Sequence, residues 1–177
     1  MTWDSTMKKS PRIKAPRIWL VITKSYRVLS LLAEQSIAKV LTDTHVPTAL
    51  CLTDFAALEA LLHKGPLTIS QIQAKVMLAS GSMTAAVDRL EKLGLVVRKS
   101  SPSDRRARVV ELTAEGKRLA ASCFEQHAKD LEALMSALSE RETEQLYRSL
   151  KKLGLLAAEK LNEQETTYKT RKEPAAN

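Results

Sequence analysis

SGSMTAAVDRLEKLGLVVRKSSPSDRRARVVELTAEG, residues 80–116, is the stretch on which the reading of this chain turns. It predicts a short helix, a strand, a basic turn, a second strand and the start of a long helix. Ser80 suits the N-cap, and Gly94 suits the left-handed position that closes the helix. Met83, Val87 and Leu90 fall on one face at i, i+4 and i+7. Thr84, Ala85, Asp88 and Lys92 make the opposite face, with Ser82 and Arg89 beside it. A small, polar outer face lets a helix backbone approach a DNA major groove, where hydroxyls and guanidinium groups meet base edges. The base-reading set is therefore Ser80, Ser82, Thr84, Ala85 and Arg89, with Ser80 equally explained by capping alone and Arg89 suited to guanine or to phosphate. Asp88 faces outward and would repel phosphate unless it accepts from a cytosine amine. The hairpin runs Leu95 to Lys99, turns over Ser100 to Arg105 and returns from Arg106 to Leu112. Arg98, Lys99, Arg105, Arg106 and Arg108 make it a basic finger. Arg98, Lys99 and Arg108 fit phosphate contacts, or a solvated basic surface.

Working outward, Thr53 opens a helix that carries Asp54 in its positive first turn and buries Phe55, Leu58, Leu61 and Leu62. Lys64-Gly65-Pro66 stops it, and Leu67 fits a very short third strand beside the hairpin. Thr68 and Gln71 form a capping box for a helix that buries Ile72 and Val76. This helix and the one after Ser80 make a helix-turn-helix. Upstream, Pro16 to about Thr44 is a helix whose apolar stripe is broader than one partner requires, and His45 to Leu52 is a loop around Pro47. Downstream, Thr113 caps a long helix with a coiled-coil-like stripe of Ala120, Phe124, His127, Leu131, Leu134 and Leu138. Ser139 with Glu142 restarts the helix, which then aligns Leu146, Leu150, Leu153, Ala157 and Leu161. Residues 1–15 read as a flexible basic arm, 16–52 as an N-terminal dimerisation helix and loop, and 53–115 as the DNA-binding unit. Residues 116–163 read as C-terminal dimerisation helices and 164–177 as a polar tail.

The combination resembles the winged helix-turn-helix of MarR-type bacterial transcription regulators. The carriers are the SGSMT helix entry, the DRLEKLGLV passage into the wing, the SDRRA wing tip and the VELTAEG exit. The resemblance covers Pro16 to Leu161. GPLTISQI followed by SGSMTAAVDRLE is most similar to the branch that includes quinone- and catechol-responsive repressors. The implied fold is mainly α with a small β-hairpin wing, a winged helix-turn-helix core between N- and C-terminal dimerisation helices. A homodimer is implied, and the long apolar stripes ask for one independently. Its two-fold axis would place two half-sites of an inverted repeat in double-stranded DNA roughly 10 bp apart. At the wing, Asp104 and Arg106 match the family's Asp-x-Arg pair, in which the Asp braces an Arg entering the minor groove. Arg105 is the neighbouring alternative. The resemblance also implies repression relieved by a small aromatic or phenolic effector, for which Trp19, Tyr26, His63, Phe124 and His127 are candidates. Residues of these types more often serve simply as core. Some relatives sense oxidants through a cysteine in the first helix. Here the first cysteine is Cys51, at a helix start that would lower its pKa, so it is either a redox site or an inert thiol. Cys123 fits packing.

Composition narrows the alternatives. Lys and Arg number 28 against 20 Asp and Glu in 177 residues, a net charge of +8 that favours a polyanionic partner. No segment approaches the roughly 20 apolar residues that span a bilayer, and IWLVI is too short for a signal-peptide core, so a cytoplasmic protein without a membrane partner is expected. Two cysteines give neither a disulfide framework nor metal-ligand spacing. Five glycines without GxGxxG or GxxxxGK, and three histidines without a paired ligand motif, argue against an enzyme, a cofactor or a metal. The rival reading is a sequence-tolerant architectural DNA binder.

Overall fold

Short-range hydrogen bonds decide where the helices start and stop. The computed structural model describes residues 14–42, 44, 50–76, 81–100 and 108–172, with backbone alone at 81, 82 and 165–172. The order is α1 (Ala15–Thr42), α2 (Leu52–Lys64), α3 (Ile69–Val76), α4 (Gly81–Lys92), β1 (Val96–Ser100), β2 (Arg108–Leu112), α5 (Ala114–Met135) and α6 (Glu140–Lys172). This is the expected mainly helical chain with one hairpin. The N-terminal arm up to residue 13, loop residues 45–49, Ser80 and the wing tip at 101–107 lie outside the described residues.

Thr68 N donates to Gln71 Oε1 at 2.8 Å and Gln71 N to Thr68 Oγ1 at 3.2 Å, the reciprocal box that starts α3. Ser139 and Glu142 repeat it at α6, at 2.9 and 3.4 Å. Thr113 Oγ1 accepts from Gly116 N at 3.0 Å and starts α5. α2 begins at Leu52, one residue before the expected Thr53, because Asp54 Oδ2 accepts from Cys51 N at 3.1 Å and makes Cys51 the cap. α4 closes on Gly94 at φ 70°, with Gly94 N bonded to Glu91 O at 3.0 Å and Leu95 N to Leu90 O at 2.9 Å. Leu95 completes that motif, so β1 starts at Val96 rather than at Leu95. α6 also departs from expectation, running to Lys172 instead of stopping near Gln164. No Gly or Pro follows Gly154 until Pro174, so nothing in the polar segment breaks the helix.

Two compact units meet at Asp130 and Leu131 in the sequence. In the first, Phe55, Ala57, Leu58 and Leu61 of α2, Ile72 of α3, and Met83, Ala86, Val87 and Leu90 of α4 form one buried cluster. Leu95, Val96 and Val110 of the hairpin region and Leu119, Ala120 and Cys123 of α5 complete it, with Ile37 of α1. β1 and β2 pair antiparallel from Val96↔Leu112 to Ser100↔Arg108. Leu67 forms the expected third contact as a single bridge to Val110, with N–H···O distances of 3.1 and 2.7 Å. α5 enters beside β1, where Thr113 N donates to Leu95 O at 3.0 Å.

α1 is held to α5 by a polar knot. The fully buried Ser36 donates to Asp130 Oδ2 at 2.7 Å, Lys39 reaches both Asp130 oxygens at 3.1 and 3.0 Å, and Gln126 donates to Oδ1 at 3.1 Å. The Ser36 hydroxyl first, then Lys39 and Gln126, pull the Asp130 pKa from 3.8 down to about 2. A carboxyl depressed in the folded state stabilises above its unfolded pKa, about 4, and loses that contribution as pH falls through its folded value. Urea midpoints measured against pH are therefore expected to drop between about 4 and about 2, and Asp130→Asn to flatten that segment.

In the second unit, α6 carries Leu146, Leu150, Leu153 and Leu161 along one side, all at least 40% exposed. Tyr147, Leu155 and Leu156 widen this apolar surface. A Cβ on Gly154 would meet nothing within 4 Å, so no contact among the described residues requires glycine there.

Candidate nucleic-acid interface

α4 is anchored on one side and free on the other. Met83, Ala86, Val87 and Leu90 are at most 1% exposed, and this burial holds the helix on the core. Thr84, Ala85, Asp88 and Lys92 face solvent. That is the division expected from the spacing. Ser82 belongs to α4, with its side chain outside the described atoms, and Ser80 precedes the helix outside the described residues.

The charged side chains go where spacing did not place them. Arg89, expected at a base edge or phosphate, turns to the start of α2. Its Nη2 lies 2.7 Å from Asp54 Oδ1 and 3.4 Å from Cys51 Sγ, and its Nε 3.4 Å from Asp54 Oδ2. Asp54 is 2% exposed, so it needs a cation, and Arg89 supplies it. The hydrogen bond that Arg89 donates to Asp54 raises its pKa, with burial opposing it. A guanidinium paired with a buried carboxylate ties α4 to α2.

Arg98 also turns inward. Its Nη2 donates to Asp88 Oδ1, its Nη1 to Glu91 Oε2, and its backbone N to Glu91 Oε1 at 3.2 Å. The Asp88 hydrogen bond is the main cause of its raised pKa. These bonds clamp the wing root to α4 and give Asp88 a partner. Lys99 pairs across the hairpin with Glu111 at 2.8 Å, while Arg108 stands exposed at the start of β2. Asp104, Arg105 and Arg106 lie outside the described residues. Sequence reasoning missed Asp54, Glu91 and Glu111 as partners. The one available signal was Asp54, an acid on the buried side of its helix that has to find a cation.

The candidate effector residues separate into two groups. His63 and Phe124 meet edge to face, ring centroids 4.7 Å apart, and His127 packs the same way on Phe55 at 5.8 Å. These pairs join α2 to α5 within the first unit. His127 Nδ1 is shielded from solvent and has no hydrogen-bond partner among the described residues. His63 also borders a cleft of about 480 Å³ between α2 and α3, with Ala56, Glu59, Ala60, Lys64, Lys75 and Val76. Trp19 and Tyr26 do not join them. They stand 68% and 58% exposed on the N-terminal half of α1. Cys51 is exposed at the cap of α2, whereas Cys123 is buried and its thiol is pushed up to about 11 by desolvation, which keeps it protonated and unreactive.

Among the described residues no helix is long and apolar enough to cross a membrane, and no cluster of His, Cys, Asp and Glu suits a metal ion. The MarR family model matches residues 50–107, from Leu50 to just before β2. The HTH-type transcriptional regulator MhqR of Bacillus subtilis (strain 168) is 38% identical over 144 residues, 81% of this chain and 94% of that protein. Bordetella bronchiseptica BpsR, solved in a study of how 6-hydroxynicotinic acid regulates its DNA binding, superposes with a TM-score of 0.66 at 17% identity. That match covers 82% of this chain and 98% of BpsR. NadR in complex with 4-hydroxyphenylacetate superposes at 0.61 and 22% identity, covering 83% of this chain and 97% of that one. With a helix-turn-helix, a hairpin wing and a relative matched along nearly its whole length, the chain belongs to the MarR family of transcriptional regulators.

Proposed function

We propose that the protein acts as a homodimer that binds an inverted-repeat operator and represses transcription until a small aromatic, phenolic or electrophilic molecule releases it. The observation that carries the reading is the exposed, short-chained outer face of α4, held rigidly beside a basic hairpin. Thr84 and Ala85 meet base edges, with Ser80 and Ser82 at the helix start. Lys99 and Arg108 follow the phosphates. Arg106, braced by Asp104, enters the minor groove, with Arg105 beside it. Dimerisation is supported by the apolar side chains left in solvent on α1, among them Ile18, Trp19, Val21 and Leu31, and by those on α6. A second copy would cover them and set the two α4 helices about one DNA turn apart.

The effector class is supported by the hydroxylated aromatic acids named with BpsR and NadR. It is also supported by the His127 nitrogen, without a hydrogen-bond partner among the described residues and beside the edge-to-face contact with Phe55, a site where a phenol or carboxylate would gain a hydrogen bond. Cys51 is the route for an electrophile.

Selection from a random duplex pool is the test. A two-fold-symmetric consensus is expected, and a flat pool with strong salt dependence would instead favour a sequence-tolerant architectural binder. On the selected duplex, Arg106→Ala is expected to weaken binding on the order of tenfold with an unchanged thermal melt. Equal affinity in a gel-shift titration would remove Arg106 from the interface. Phenols and quinones added to the complex should dissociate it.

A further inference from the structure

We propose that Asp88 reads a cytosine amine in the major groove and that Arg98 holds it in place to do so. The inference rests on the operator-binding reading above. Asp88 lies in the middle of the outer stripe of α4, one turn beyond Thr84 and one before Lys92, with its side chain 51% exposed. Its position is costly. A carboxylate on a face presented to a polyanion repels phosphate, and a helix built only to grip a DNA backbone would carry a neutral or basic residue there.

Arg98 does not need Asp88 to balance its charge. Arg89 is neutralised by the buried Asp54. Glu91 already accepts from both the guanidinium and the backbone N–H of Arg98. Arg98 therefore has its compensating charge without Asp88, yet it donates Nη2 to Asp88 Oδ1 as well. One guanidinium serves two carboxylates, and Asp88 is the more exposed of the two, 51% against 38% for Glu91.

The surroundings fit base reading. In the major groove the cytosine N4 amine is the donor that a carboxylate accepts from. An aspartate side chain is short, so the helix backbone has to approach the groove floor, and Thr84 and Ala85 are small enough to permit that. Fixing Oδ1 with Arg98 leaves Oδ2 to face the groove in one orientation. A side chain already ordered loses less entropy when it binds. Arg98 is thus a positioning residue, and Asp88 the one that touches the base.

The experiment is selection from a random duplex pool with the full-length wild type, Asp88→Asn, Asp88→Ala and Arg98→Lys, each checked for an unchanged circular-dichroism melt. The wild type is expected to select C·G at one symmetry-related position in each half-site. Asp88→Asn should move that position alone to A·T, because a carboxamide pairs with adenine N6 and N7, with a preference of about tenfold. Asp88→Ala should lose the preference there and keep it elsewhere. Arg98→Lys keeps a positive charge but loses the fork that also ties the wing root to α4 through Glu91, and should weaken discrimination most at the same position. If both Asp88 variants keep the wild-type consensus and simply bind all duplexes more tightly, Asp88 is an electrostatic neighbour and the assignment fails. A wild type that selects no consensus overturns operator binding itself, and the Asp88 assignment with it.

Discussion

Gly116→Ala is expected to lower the unfolding free energy by roughly 3 kcal/mol, read as a shift in urea midpoint at constant slope. Gly116 is buried in the first turn of α5, where the helix lies directly on the backbone of Leu95. A Cβ there would stand 1.8 Å from Leu95 O and 2.8 Å from Leu95 C. The obstacle is main chain, so no rotamer change relieves it. Leu95 O is also the acceptor of Thr113 N at 3.0 Å, and Leu95 closes α4 through its bond to Leu90. Pushing α5 away therefore disturbs the α5 start, the hairpin base and the end of α4 together. Gly154→Ala is the control. Its added methyl meets nothing, and a helix interior prefers Ala by about 1 kcal/mol, so that variant should be as stable as the parent or more so. A Gly116→Ala protein with the parental midpoint would mean that α5 and Leu95 do not make this close contact.

Asp54→Ala is expected to cost about 2–3 kcal/mol and to weaken operator binding by roughly tenfold at a temperature where the variant is still folded. The carboxylate is almost fully buried and serves two elements at once. It accepts from Cys51 N at the start of α2 and from Arg89 on α4. Removing it leaves a helix-start amide without its partner and a cation without its counterion. Arg89 is 46% exposed and turns to water, which keeps the cost below that of breaking a fully buried pair. The loss in DNA binding has a separate origin. α4 loses its tie to α2, so the reading face is less ordered before it meets the groove. Asp54→Asn keeps an acceptor for Cys51 N and should fall between the two proteins. An Asp54→Ala variant with parental stability would show that Arg89 is not bound there in solution.

Taken together, the contacts give α4 two anchors besides its apolar face. Arg89 ties it to α2, and Arg98 ties the wing root to it. Both arginines were read from the sequence as DNA contacts, and in the structure both neutralise acids of the chain itself.

The amino-acid sequence by itself determined the features that depend on near neighbours along the chain. The capping pairs Thr68–Gln71 and Ser139–Glu142, the Gly94 stop and the buried set Met83, Val87 and Leu90 act over three to seven residues. A helix or a turn brings such residues together wherever it forms. Even the bridge at Leu67 was legible, because Gly65-Pro66 ends α2 just before it. Only the tertiary structure decided the fate of Arg89, Arg98 and Asp88, the contact of Gly116 with Leu95, and the pairing of His63 with Phe124 and of Phe55 with His127. An ion pair or a ring contact is chosen by the distance between elements, and Arg89 found its carboxylate 35 positions away. Periodicity names the face a charge occupies. Which opposite charge stands within hydrogen-bonding reach of that face is settled when the helices pack.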